Sequence, residues 1–251
     1  MTQPDLDKVI SRWTRLGIFF GASPARRSPD LERLLLDTAR LVPANPRLFY
    51  LAVTWLSRYS NFVARHRLKH LVECDLEPDV QPGLGVLLAL AIKHGASREL
   101  RIAADICAPA EVPRPVFNVQ RRSRELEQLA RERASDEGLG WNLWVPDQPP
   151  KLDALRPTHW LIANNPSYLE RIVRKGDLRC SILLTLRHDV PGSTVESEMA
   201  LARLCSANRL AVHKALDDLE YEGYELREQD PGSRSRRIVL TPPVVPMASA
   251  S

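Results

Sequence analysis

The sequence predicts a mainly α-helical protein: an N-terminal all-α domain followed by a small unit of three helices and a β-hairpin. Three observations carry this. Apolar residues recur at intervals of three and four through the first 107 residues, and no useful period-2 alternation precedes residue 110. A Pro- and Trp-rich stretch then interrupts the pattern. From Ser167 the helical spacing returns and ends in two short strand candidates around the turn-forming "DPGSRS".

The elements follow in order. Leu6, Val9, Ile10, Trp13 and Leu16 share one helical face. "SPDLERLLLDTARLV" opens with Ser28 as the expected N-cap and Pro29 at the first helical position. "NPRLFYLAVTWLSRYSNFV" repeats that grammar with Asn45 as cap. "RHRLKHLVEC", "GLGVLLALAIKHG" and "SRELRIAADIC" complete six short helices. Prolines 109, 113 and 115 punctuate the chain before a charged helix, "QRRSRELEQLARERASDE", whose narrow apolar stripe suits a surface. Prolines 146, 149, 150 and 157 forbid a regular helix in "GLGWNLWVPDQPPKLDALRPTHW". The expected organisation is therefore an all-α domain over 1–137, a connection over 138–158, the small unit over 159–241, and a disordered tail over 242–251.

Bulk properties bound the class. The chain has 251 residues, 44% of them hydrophobic and 26% charged, enough for a buried core. A net charge of +4 permits a polyanionic partner without requiring one. The four cysteines, 74, 107, 180 and 205, form no C-x-x-C pair, so they read as free thiols and not as zinc ligands. The N-terminus lacks a basic region followed by an apolar one, and the run Leu84–Ile92 is too short to span a bilayer. A cytoplasmic protein without membrane contact is the expectation.

Residues 192–224, "GSTVESEMALARLCSANRLAVHKALDDLEYEGY", carry the most information. Ala202 is small where a second helix must cross the first. "CSAN" offers a turn. Leu210, Val212, Leu216 and Leu219 give the second helix an apolar face. Gly223 ends it, and "YELREQ" and "RRIVLT" are strand candidates. Preceded by the helix "DLRCSILLTLRHD", this is the order of a winged helix-turn-helix.

The stretch resembles the DNA-binding domain of the GntR-type bacterial transcription regulators, and more loosely the MarR type. Val195, Ser197, Glu198, Leu201, Ala202, Arg209, Val212, Ala215, Leu216, Leu219, Glu222 and Gly223 match the pattern without a gap. Cys205, Ser206, Asn208 and His213 depart from it. The G-x-G-T of the wing is missing, and the segment comes last where that family places it first. The resemblance implies that Arg209, at the start of the recognition helix, touches DNA, that His213 fills a second contact slot, and that Ser197 caps the first motif helix. Chemistry adds Asn208, which can pair an adenine edge, and Lys214, which can reach phosphate. Arg234, Arg236 and Arg237 in the wing can contact the backbone or a minor groove.

Charge argues against this. Residues 177–241 hold nine Lys plus Arg against eleven Asp plus Glu, a net of −2, and phosphate neutralisation dominates DNA affinity. The acids, however, gather near the far end of the recognition helix.

Other candidates are weaker. His66 and His70 stand one turn apart, but no glutamate lies between them, and "RHRLKH" reads as a solvated basic face. "RRSRE" at 121–125 reads as a charged helix start. No nucleophile–base order and no carboxylate cluster in an apolar frame is visible, so neither catalytic residues nor cofactors nor metal are expected. The function expected is a bacterial-type transcription regulator, not an enzyme. It binds double-stranded DNA as a homodimer through the major groove, and its helical domain dimerises, binds a ligand or recruits another protein. The alternative is a DNA-binding or scaffolding subunit of a larger complex, in plasmid replication or partition, transposition or phage defence.

Overall fold

A computed structural model describes residues 4–224, 226–229 and 236–241. The protein is mainly helical with two small sheets. In chain order come α1 (Leu6–Arg15), α2 (Leu31–Leu41), α3 (Pro46–Tyr59), α4 (Arg65–Asp75), α5 (Gln81–Lys93) and α6 (Arg101–Ala104). Then follow β1 (Arg114–Pro115), α7 (Arg124–Glu132), α8 (Asp136–Gly140), β2 (Leu143–Trp144), α9 (Thr158–Asn164) and α10 (Tyr168–Val173). The last elements are α11 (Leu178–His188), β3 (Thr194–Val195), α12 (Glu198–Leu204), α13 (Arg209–Tyr221), β4 (Arg227–Gln229) and β5 (Arg236–Val239). Among the described residues, no helix is long and apolar enough to cross a membrane.

Two principal buried clusters organise the chain. The first gathers residues from Val9 to Tyr168, and the second residues from Ile182 to Ile238. In the first, Trp13 donates Nε1–H to Thr38 Oγ1 at 2.8 Å, and Trp55 donates Nε1–H to the Leu16 carbonyl at 2.9 Å. Both indoles are thus buried with their polar atom satisfied, which makes so large an apolar group tolerable in a core.

The expected cap at Ser28 is corrected. Asp30 caps α2, accepting from Arg33 N, with Pro29 outside the helix. Its carboxylate also receives Arg67, which a serine hydroxyl could not balance. Asn45 caps α3 as expected.

The stretch over 138–158 is no mere connection. Gly138 lies inside α8, and β2 pairs in parallel with β1. Leu143 and Val145 are buried in the first cluster, and Tyr50 donates its hydroxyl proton to the Pro146 carbonyl at 3.0 Å. Gly85 is a glycine because the Trp141 ring occupies the space a Cβ would need, 2.5 Å away. The start of the small unit at 159 also shifts. Leu161 of α9 and Tyr168 of α10 are buried in the first cluster, and Tyr168 donates its hydroxyl to the Pro29 carbonyl at 2.8 Å.

The second cluster is built by α11, α12, α13 and a three-stranded antiparallel sheet of order β3-β5-β4. Thr194 and Val195 pair with Val239 and Ile238, which pins the short strand before α12 to the last strand. Ala202 is buried where α12 meets α13, and Val212, Leu216 and Leu219 form the inward face of α13. Leu210 departs from the expected face: it is 78% exposed. At three or four positions from Val212 the next inward residues are Ala215 and Leu216, so the apolar stripe passes Leu210 by.

The two clusters meet closely. Gly176 has φ +65°, and a Cβ there would stand 1.9 Å from the Val63 carbonyl, so only glycine fits. Ala64, Cys180 and Leu184 form a small apolar contact beside it.

Candidate nucleic-acid interface

The segment that positions the candidate contacts starts at the turn before α13. Ser206 has φ +44° and donates its hydroxyl to Glu73 of α4. Asn208 then caps α13, its Oδ1 accepting from Ala211 N at 2.7 Å. That cap satisfies one of the N–H groups a helix start leaves free, so α13 begins sharply at Arg209. Ser197 does the same for α12, accepting from Ala200 N at 3.2 Å. Two of the candidate residues therefore have their side-chain oxygens engaged in building the motif. Asn208 keeps only its amide N–H₂ for a partner.

Arg209, Leu210, His213 and Lys214 are exposed at the leading end of α13. Glu198, the first residue of α12, faces them from below. It lies 3.8 Å from Arg209 Nε and 2.9 Å from His213 Nδ1, and it accepts from Arg227 Nε at 3.1 Å. The patch therefore sets Arg209, His213 and Lys214 around the recessed Glu198, with the more exposed Asp217 3.6 Å from His213 Nε2. Lys214 has no carboxylate within ion-pair distance among the described residues, nor has the exposed Arg203 at the end of α12. Arg237 is exposed on β5. Arg236 lies in β5, but its side chain lies outside the described residues, as does Arg234 altogether.

Arg227 escaped the sequence reading and changes the charge argument. From β4 it reaches Asp217 and Glu220, each at 2.7 Å, besides Glu198, and donates to the His213 carbonyl at 3.0 Å. Burial pulls this guanidinium down, but the hydrogen bond to Asp217 and the charges of Glu220, Asp217 and Glu198 outweigh it and raise it above the ordinary arginine value. Glu222 is in turn held by Arg174 and Arg179. Asp217, Glu220 and Glu222 of the trailing part of α13 and the residue after it are thus tied to arginines of the same fold, while Asp218 and the cations at the helix start reach solvent. A count of charges in the sequence cannot see this partition.

A second arrangement corrects the reading of "RHRLKH" as a wet basic face. Arg67 is fully buried. It donates to Asp30 at 2.6 and 2.7 Å, to Glu32 at 2.8 Å, and to Asp189, just past α11, at 2.6 and 2.9 Å. Glu32, also fully buried, accepts from Arg171 of α10 at 2.6 and 3.0 Å. Burial pushes the Asp30 carboxyl up, but the hydrogen bonds and charge of Arg67 outweigh it and hold the group at about 2. Asp189 is lowered in the same way by Arg67 and Arg33. This carboxylate cluster in an apolar frame was invisible in the sequence because its members come from positions 30, 32 and 189. Its charges are matched by arginines, so it locks the two packed regions together.

His70 Nδ1 lies 3.5 Å from Ser206 Oγ. Among the described residues, no group of three His, Cys, Asp or Glu is placed to hold a metal ion. Cys107, Cys180 and Cys205 are buried, which pushes each thiol up to about 12, and Cys74 is exposed. The chain matches no family model, no curated protein and no solved structure.

Proposed function

We propose that the C-terminal region, α11 to β5, is a winged helix that binds double-stranded DNA, with α13 entering the major groove by its leading end. The element order helix, strand, helix, helix, strand, strand and the sheet order β3-β5-β4 support that reading. The observation that carries it is the uncovered start of α13, where Arg209, His213 and Lys214 stand in solvent beside a capped first turn. DNA-binding helices of this kind present their N-terminal residues to base edges, while flanking cations fix the register on phosphates. In this reading Arg209 reads base edges, Lys214 and Arg203 hold phosphates, and Asn208 and Ser197 shape the helix starts. The chain then acts as a dimeric transcription regulator.

Selection from a random duplex pool tests this directly. A regulator enriches one short sequence repeated as two half-sites. Binding without enrichment would favour the second reading, a subunit of a larger assembly. Tyr221, 96% exposed at the end of α13, favours that second reading.

A further inference from the structure

A cavity of about 290 Å³ opens in the first packed region, where the end of α2 meets the start of α5 and β1 runs past them. Val42, Val80, Val116 and Leu143 supply apolar walls. Three arginines also line it, and they differ in kind. Arg40 is engaged with Glu77, Asp37 and the Asp75 carbonyl. Arg114 and Arg121 have only main-chain partners. Arg121 donates Nε and Nη2 to the Pro115 carbonyl at 3.3 and 3.0 Å, and Arg114 donates Nη2 to the Asp79 carbonyl at 3.4 Å. Neither has a carboxylate within ion-pair distance among the described residues. Burial and then the charge of Arg114 lower Arg121, against a smaller opposing pull from Glu127 outside the cavity lining, so the two cations sense each other. With Arg40 matched, two cations face the one acid of the lining, Asp79, an excess of one positive charge.

Both side chains reach solvent at the cavity mouth, and each guanidinium, aimed by a single carbonyl, keeps N–H groups in the planar fork that suits a phosphate. Ion-pair partners were available to their neighbours throughout this protein. The volume lies at the small end of ligand pockets, too small for a dinucleotide. We propose that this cavity binds a small phosphate monoester, with its phosphate between Arg114 and Arg121 and its organic part against Val42, Val80 and Val116. This site is independent of the DNA reading of α13.

Calorimetry on the full chain tests it with phenyl phosphate, inorganic phosphate and phenol as probes. Phenyl phosphate should bind best, inorganic phosphate more weakly, and phenol not measurably. Arg114→Ala and Arg121→Ala should each weaken phenyl phosphate about tenfold or more, as expected for losing a charge-assisted contact. No uptake of either phosphate by the wild type, or variants that bind phenyl phosphate as tightly as the wild type, would overturn the proposal. So would variants that lose duplex binding while still taking up phenyl phosphate, since the arginines would then serve a nucleic-acid backbone. Should a variant fail to fold, the wild type decides: phenyl phosphate must shift the Gly83 amide and the Asn118 side-chain amide, and shifts confined elsewhere refute the site.

Discussion

Arg67 on α4 and Arg209 on α13 both stand in the first turn of a helix, yet the fold uses them in opposite ways. Arg67 is sealed between Asp30, Glu32 and Asp189, and the rest of the chain supplies its counter-charge. Arg209 stands at a helix start with its side chain 65% exposed and one distant carboxylate beneath it. The first is part of what joins the two packed regions. The second is available to a partner. An arginine acquires its meaning from where the acids end up, and for Arg67 the acids come from far along the chain.

The sharpest way to break this contrast is Arg67→Ala. It leaves Asp30, Glu32 and Asp189 without their shared cation, and removing one partner of a buried ion pair costs about 3–5 kcal/mol. Chemical denaturation should show that loss, together with altered coupling between the two regions. A loss below about 1 kcal/mol, the range of exposed pairs, would mean that water reaches the cluster.

Acid attacks the same junction by stages. Burial lowers His188, opposed by Asp30 and reinforced by Arg67, so the folded chain favours the neutral ring. Stability should therefore begin to fall as pH drops through about 6.5. Asp30, held at about 2, and Asp189, also lowered, contribute their stability above the unfolded carboxylate value of about 4 and lose it as pH falls towards 2. Urea midpoints measured across this range should decline in both windows. A flat profile from neutral pH to 3 would contradict the paired cluster.

Much of this contrast lay beyond the sequence. The helices were legible because their apolar spacing and the caps at Asn45 and Ser197 are local signals, whereas the cap at Asn208 read as a turn residue and a base contact. The cap at Asp30 was misplaced by two residues because the flanking Ser-Pro is the stronger local pattern. Leu161 and Tyr168 read as the start of the C-terminal unit, but their burial is decided by contact with segments more than a hundred positions away, among them Pro29. Among the candidate contacts, Arg209 and His213 came from the motif register and Lys214 from its chemistry. Glu198 stood in that motif too, yet its role depends on Arg227 arriving from β4, which no spacing rule announces.

Smaller effects sharpen the other side of the comparison. Asn208→Ala removes a helix cap and should cost about 1 kcal/mol of stability, read by thermal or urea unfolding. It should also blur the start of α13 and weaken duplex binding. Glu198→Gln removes the negative charge beneath Arg209 and His213. Duplex affinity at low salt should rise roughly fivefold, about 1 kcal/mol. A fall in affinity would instead assign Glu198 the task of holding those side chains in a productive pose.

The central claim is that the start of α13 is a free cationic surface for duplex DNA. It is tested most directly by measuring the binding of the wild type and of Arg209→Ala to duplex over a salt series. The wild type should bind with log K falling linearly against log salt, and Arg209→Ala should bind more weakly with a slope shallower by about one. Absence of duplex binding by the wild type even at low salt, or identical salt slopes for the two proteins, would contradict the claim.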